Sequence, residues 1–140
     1  EPFLDYEEKG IYLLAVTSNP GSADLQRRES DGVKMFEIVG QFAGRASEES
    51  RKTEVGLVVG LTNAGGDVLA GLPDVPLLIP GLGAQGGDLS ALTGSGRQAP
   101  NVVNVSRGVI YGNEGSPAEL ADRYAREIAE ALGQGAQEGS

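Results

Sequence analysis

One pattern recurs four times along this chain and limits what it can fold into: a short apolar run followed at once by a turn rich in Gly, Pro, Asn and Ser. The runs are Ile11–Thr17, Val55–Leu61, Val75–Ile79 and Val102–Val105. The turns after them are Ser18–Ser22, Thr62–Gly66, Pro80–Gly87 and Ser106–Gly108. The runs are nearly unbroken in apolar residues and do not alternate. Strands buried on both faces read that way, as in parallel sheets covered by helices.

Helical patterns fill the gaps. Val33, Phe36, Val39, Phe42, Ala43 and Ala46 fall at helix spacing, with Glu37, Gln41 and Arg45 on the other face. Asp88 is placed to cap a short helix through Leu89 and Leu92. Ser116, Pro117 and Glu119 form a capping-box start for a last helix. Leu120, Tyr124, Ile128 and Leu132 give that helix one apolar stripe, and Gly133 ends it. Residues Glu1 to Glu8, with Phe3, Leu4 and Tyr6, read as the end of a helix. The order is therefore (α)-β-α-β-α-β-α-β-α, an α/β chain of about four βα units over residues 1–133. Residues 134–140 are expected to form a flexible Gly-rich tail. Two architectures fit this alternation: an open doubly wound sheet, or half of an eight-stranded TIM-type βα barrel, whose whole runs to roughly 250 residues.

Composition removes several chemistries. There is no cysteine and no histidine, which excludes disulfides, thiolate catalysis and serine–histidine hydrolysis within the chain. A net charge of -9 opposes nucleic-acid backbones and anionic membranes as partners. No apolar run reaches the length of a membrane span, and the opening residues lack the basic-then-apolar pattern of a secretory signal. A cytoplasmic setting is expected.

In both architectures ligands bind at the C-terminal ends of the strands. All four Gly-rich turns lie there. In βα barrels the loops after the last two strands often hold phosphate, and here those are Pro80–Asp88 and Ser106–Gly108. The first carries four glycines, which let backbone N–H groups approach a ligand, and Gln85 adds an uncharged donor. The second puts Arg107, a planar fork of donors suited to phosphate, directly after a strand. Taken singly, each also reads as an ordinary turn or rim residue; together they favour phosphate. Ser18 and Thr62 are turn hydroxyls whose plainer role is local. Gly81-x-Gly83-x-x-Gly86 matches the dinucleotide pattern only by letter, since no acid follows where a second strand would carry it.

The strings as wholes say more. Thr17-Ser18-Asn19-Pro20-Gly21-Ser22-Ala23-Asp24-Leu25-Gln26, Val58-Val59-Gly60-Leu61-Thr62, Leu77-Leu78-Ile79-Pro80-Gly81-Leu82-Gly83-Ala84-Gln85-Gly86-Gly87-Asp88 and Val105-Ser106-Arg107-Gly108-Val109-Ile110-Tyr111 occur in that order. From about Glu1 to Leu132 the chain resembles the C-terminal half of the longer bacterial subgroup of orotidine 5'-phosphate decarboxylases. The resemblance implies a TIM-type βα barrel, here half of one. The implied reaction is a carboxy-lyase step that converts orotidine 5'-monophosphate to uridine 5'-monophosphate (UMP) and carbon dioxide, in de novo pyrimidine synthesis. It implies no metal, no organic cofactor and a homodimer. By motif, Ser18 would hydrogen-bond the pyrimidine, Gln85 would bridge phosphate and base, and Arg107 with the Ser106 backbone would hold the phosphate. Thr62 stands where the family often has a small hydroxyl residue. Leu61 departs from the subgroup's usual alanine, a change of packing.

The family's chemistry also needs an array of lysines and aspartates that includes a D-x-K-x-x-D motif. This chain has only Lys9, Lys34 and Lys52, none in such a motif, and Glu1-Pro2-Phe3-Leu4 resembles an internal stretch of the family. No catalytic residue is therefore assigned, and the expected partner is a missing N-terminal half. Two other readings stand beside this one: a non-catalytic half-barrel that binds a nucleoside monophosphate, and a structural fragment that pairs with itself.

Overall fold

The computed structural model describes residues 3–49, 52–60, 62, 66–82, 89–93 and 95–133. In chain order the elements are β1 (Lys9–Val16), α1 (Ser22–Leu25), β2 (Glu29–Ser30), β3 (Val33–Lys34), α2 (Met35–Glu49), β4 (Thr53–Val59), α3 (Gly66–Ala70), β5 (Leu77–Pro80), a 3-10 turn (Leu89–Ala91), β6 (Asn101–Asn104), α4 (Arg107–Ile110) and α5 (Pro117–Ala131). The strands β1, β4, β5 and β6 form one parallel sheet in that order, and β2 pairs with β3 in a small antiparallel hairpin.

Strand order settles the architecture. Each strand lies beside its predecessor, with no reversal of direction along the sheet. A doubly wound sheet reverses at a switch point, whereas a βα barrel advances one strand at a time. The sheet is an arc of a barrel.

The register shows how the arc is covered. Leu13, Leu57 and Leu77 align in one row. Leu57 and Leu77 in that row pack with Phe36, Val55, Val59, Val68 and Ile79 in the fully buried core beneath the helices. The next row, Leu14–Val58–Leu78–Val102, faces the other way, and its ends Leu14 and Val102 remain 54% and 50% exposed. Burial on both faces, expected for all four strands, is approached only in the two inner strands β4 and β5, whose residues in that row, Val58 and Leu78, are half-buried. The uncovered row is the one that a closed barrel turns inward.

Other expectations need adjustment. Phe3 to Glu8 are turns and bends, not a helix end. Phe3 and Tyr6 are exposed and Glu8 sits at φ 56°, so no apolar stripe holds a helix there. The segment is tied down by Thr53, whose Oγ1 donates to the Tyr6 carbonyl at 2.7 Å. Val33 belongs to the β2–β3 hairpin and Phe42 is 56% exposed; α2 instead buries Phe36, Gly40, Ala43 and Ala46. Asp88 and residues 134–140 lie outside the described residues. The last helix starts as expected. The Ser116 N–H donates to the Glu119 carboxylate at 2.8 Å, and Ser116 Oγ accepts from the Glu119 N–H. The Ser116 N–H, and after it the Ser116 hydroxyl donating to the same carboxylate, hold the Glu119 carboxyl below the usual carboxylate range.

One tie at the N-terminal ends of the strands was not legible in the sequence. Arg97 is inserted between the segments that lead into β5 and β6, its side chain only 6% exposed. Its Nη2 donates to the Pro73 and Val75 carbonyls at 2.6 and 3.0 Å. Asp74 accepts in return from the Gln98 and Ala99 N–H groups at 2.9 and 3.2 Å.

Candidate functional site

The C-terminal ends of the four parallel strands deliver Thr17–Asn19 after β1, Gly60 and Thr62 after β4, Pro80 at the end of β5, and Val105–Arg107 after β6. A cleft of about 460 Å³ opens at the β1 side, with Leu14, Val16 and Val58 as apolar wall and Thr17, Ser18 and Pro80 at its mouth. The lining therefore offers both aliphatic surface and hydroxyl groups to a ligand. Ser18, named from the sequence, stands in it, half-buried.

The other named residues are distributed as follows. Thr62 is exposed in the turn after β4 and does not line this cleft. Gln85 lies outside the described residues. Ser106 is exposed, and its Oγ donates to Asn104 Oδ1 at 2.9 Å, so its hydroxyl is turned back along β6. Arg107 is exposed at the start of α4 and lines a second cleft of about 440 Å³ with Gly108, Tyr111 and Tyr124. Among the described residues no carboxylate lies within ion-pair distance of Arg107. The nearby acid Glu114 is taken by Arg123, whose pKa is raised chiefly by that hydrogen bond. Arg107 thus presents its guanidinium at the rim with no described acid paired to it.

Ser18 and Arg107 therefore share one end of the sheet but follow its opposite edge strands, β1 and β6. At the usual strand spacing their strands are roughly 14 Å apart. The loop that follows β5 leaves the sheet between them. The lysines stand elsewhere. Lys9 opens β1 and Lys52 precedes β4, both at the opposite end of the sheet, and Lys52 lies 3.8 Å from Glu7. Lys34 is in the hairpin. Among the described residues no group of three or more His, Cys, Asp or Glu is placed to hold a metal ion. No helix among them is long and apolar enough to cross a membrane.

Sequence reasoning missed Gln26 and Gly60, which hold the Ser18 loop. Gln26 Oε1 accepts from both Thr17 N and Thr17 Oγ1, each at 3.0 Å. Gly60 donates its N–H to the Val16 carbonyl at 2.8 Å. Both residues fall inside the two strings that carried the resemblance, but neither has a residue type that announces a role.

A parallel sheet in sequential order, with its candidate ligand groups at the C-terminal strand ends, defines part of a TIM-type βα barrel. Solved structures agree. Leishmania donovani UMP synthase superposes with a TM-score of 0.78 at 35% identity, over 99% of this chain and 31% of that one. Leishmania donovani OMP decarboxylase superposes with a TM-score of 0.75 at 32% identity, over 94% of this chain and 51% of that one.

In sequence the chain is a homologue of part of the orotidine 5'-phosphate decarboxylases. It is 41% identical to the orotidine 5'-phosphate decarboxylase of Dehalococcoides mccartyi (strain CBDB1) over 145 residues, covering 94% of this chain and 52% of that protein. It is 39% identical to that of Azoarcus sp. (strain BH72) over 130 residues, covering 89% and 47%. The chain spans about half the length of the curated relatives it matches. No protein-family model matches it. The resemblance drawn from the four strings thus holds over most of the chain.

Proposed function

We infer that this chain supplies the phosphate- and pyrimidine-holding half of an orotidine 5'-phosphate decarboxylase, which converts orotidine 5'-monophosphate to UMP and carbon dioxide in the cytoplasm. The observation that carries the reading is the placement of Ser18 and Arg107 at the same end of a half-barrel that matches these enzymes over nearly its whole length. In this reading Arg107, with the Ser106 backbone, grips the phosphate. Ser18 hydrogen-bonds the pyrimidine edge against the Leu14–Val58 wall. Gln85 and Thr62 join from the loops after β5 and β4.

The division of labour is physically coherent. Phosphate and base contacts remote from the reacting carbon lower the barrier when their energy orders the site. The lysine and aspartate array that would protonate C6 and face the departing carboxylate belongs, in this proposal, to the part of the family's length that this chain does not span. Lys9, Lys34 and Lys52 stand away from the Ser18 cleft and do not replace it. By itself the chain should hold phosphate weakly and decarboxylate nothing.

The uncovered row Leu14–Val58–Leu78–Val102 supports the same reading, since a complementary half-barrel would bury it. It also favours a second reading, a fragment that pairs with its own copy through that row and the free edges of β1 and β6. Calorimetric titration with UMP tests the first. Saturable binding that Arg107→Ala abolishes supports the phosphate site. No binding by the wild-type chain, together with a ligand-independent dimer in sedimentation, would favour the second.

A further inference from the structure

The Ser18 loop is held from two sides by residues with no contact role of their own, and the way it is held points to a purpose. On one side stands Gln26, just past α1. Its Oε1 accepts both the N–H and the Oγ1–H of Thr17, the residue before Ser18, at 3.0 Å each. Its backbone is fixed as well: the N–H donates to the Ser22 carbonyl at 3.0 Å, and the carbonyl accepts from Phe36 N at 3.0 Å. Phe36 is fully buried at the start of α2. Gln26 is thus a short rigid strut from the core to the loop. It uses one oxygen for two donors, which fixes Thr17 in both backbone and side chain.

On the other side lies Gly60, buried at the end of β4. A Cβ there would lie 2.6 Å from Ser18 N and 3.0 Å from Ser18 Oγ and from the Thr17 carbonyl carbon. Gly60 is not among the glycines at positive φ, so backbone conformation does not demand glycine here. Room does: the Ser18 backbone rests on β4 only because no side chain intervenes. A methyl group would have to displace main-chain atoms of the loop, since the nearest atom belongs to backbone and not to a flexible side-chain end.

We propose that Gln26 and Gly60 are the positioning residues that set Ser18 for the pyrimidine, Gln26 by pinning Thr17 and Gly60 by seating the Ser18 backbone against β4. The proposal rests on the functional reading above, in which Ser18 meets the base. Neither residue touches the ligand. Both act through the loop, and both should alter base recognition while leaving the phosphate grip at β6 untouched.

The test uses the chain as it is, with Gly60→Ala, Gln26→Leu and Gln26→Glu, and two probes: UMP, and ribose 5-phosphate, which lacks the base. Amide resonances of Thr17 and Ser18 report the loop directly. Gly60→Ala and Gln26→Leu should shift those resonances and weaken UMP binding by about as much as Ser18→Ala, on the order of tenfold for one hydrogen bond. Ribose 5-phosphate affinity should stay within about twofold of wild type. Gln26→Glu keeps the acceptor oxygen and should restore both the resonances and UMP binding. In a Gly60→Ala/Ser18→Ala double variant the two losses should not add. Unmoved Ser18 and Thr17 resonances in both Gly60→Ala and Gln26→Leu would overturn the proposal whatever the titrations gave. So would equal losses for UMP and ribose 5-phosphate, the mark of a merely structural role. A wild-type chain that binds neither probe would instead overturn the functional reading, and the resonances would still decide whether these residues hold the loop.

Discussion

Replacing Arg97 by alanine should cost this chain about 3 kcal/mol of stability, more than any other charged side chain described here. The figure follows from its bonds. Nη2 donates to two carbonyls at 2.6 and 3.0 Å, and Nη1 reaches a third, that of Leu72, at a weak 3.4 Å. A hydrogen bond from a charged donor contributes roughly 1.5 to 3 kcal/mol net, so the two good ones give about 4.5 at mid-range. Two effects reduce this. Burial disfavours the guanidinium and pulls its pKa below the usual arginine value, although Asp74 opposes the shift. Nε is buried with no hydrogen-bond partner among the described residues, a cost that the substitution removes. Asp74 lies 3.7 Å away and is 44% exposed, so the ion pair itself adds under about 1 kcal/mol. Urea unfolding followed by circular dichroism measures the loss directly, and the thermal midpoint should fall by roughly 10 °C. Arg97→Lys should recover only part of it, because an ammonium can donate to the Pro73 and Val75 carbonyls but brings no second nitrogen for the Leu72 carbonyl. A loss below about 1 kcal/mol for alanine, or full recovery with lysine, would refute the argument that the Arg97 guanidinium fastens these two loops through their carbonyls.

Other outcomes follow from the same geometry. The Asp74 carboxyl is held below its usual range chiefly by the Gln98 N–H, with Ala99 and Arg97 adding to the effect against partial burial. Its stabilisation is therefore fully present above the unfolded value near pH 4 and is lost as pH falls through the lower folded value. The stability gap between wild type and Asp74→Asn in urea melts should close as pH falls below about 4; a gap that stays constant would contradict this. Ser116→Ala removes the N-cap of α5 and should cost about 1 kcal/mol, read in the same melts, with Ser116→Asp close to wild type. Leu57→Ala, at a fully buried position in the central strand β4, should cost about 3 kcal/mol. Leu14→Lys and Val102→Lys place charge on the uncovered row and should suppress self-association in sedimentation velocity without loss of stability. A stability loss as large as that of Leu57→Ala would mean that the row is packed in the isolated chain.

The elements were determined locally and could be read locally. Four apolar runs closed by Gly-rich turns specify strands, and Ser116-Pro117-x-Glu119 specifies a helix start, because the interactions that stabilise them span a few residues. The end of the sheet at which the Gly-rich turns gather followed from the same pattern, and so did Arg107 as a candidate there, whereas Ser18 became a candidate only through the resemblance of the whole strings. Tertiary structure decided what depends on neighbours far along the chain. Strand order chose the barrel arc over the doubly wound sheet, since crossover direction leaves no mark in hydrophobic periodicity. Covering decided which runs are buried on both faces: those of β1 and β6 read as continuous apolar strands yet expose Leu14 and Val102, because nothing described packs on that side. The same holds at the site. Gln26 has no signature of a strut and Gly60 none of a seat, since each acts through an approach between residues that only the folded chain brings together.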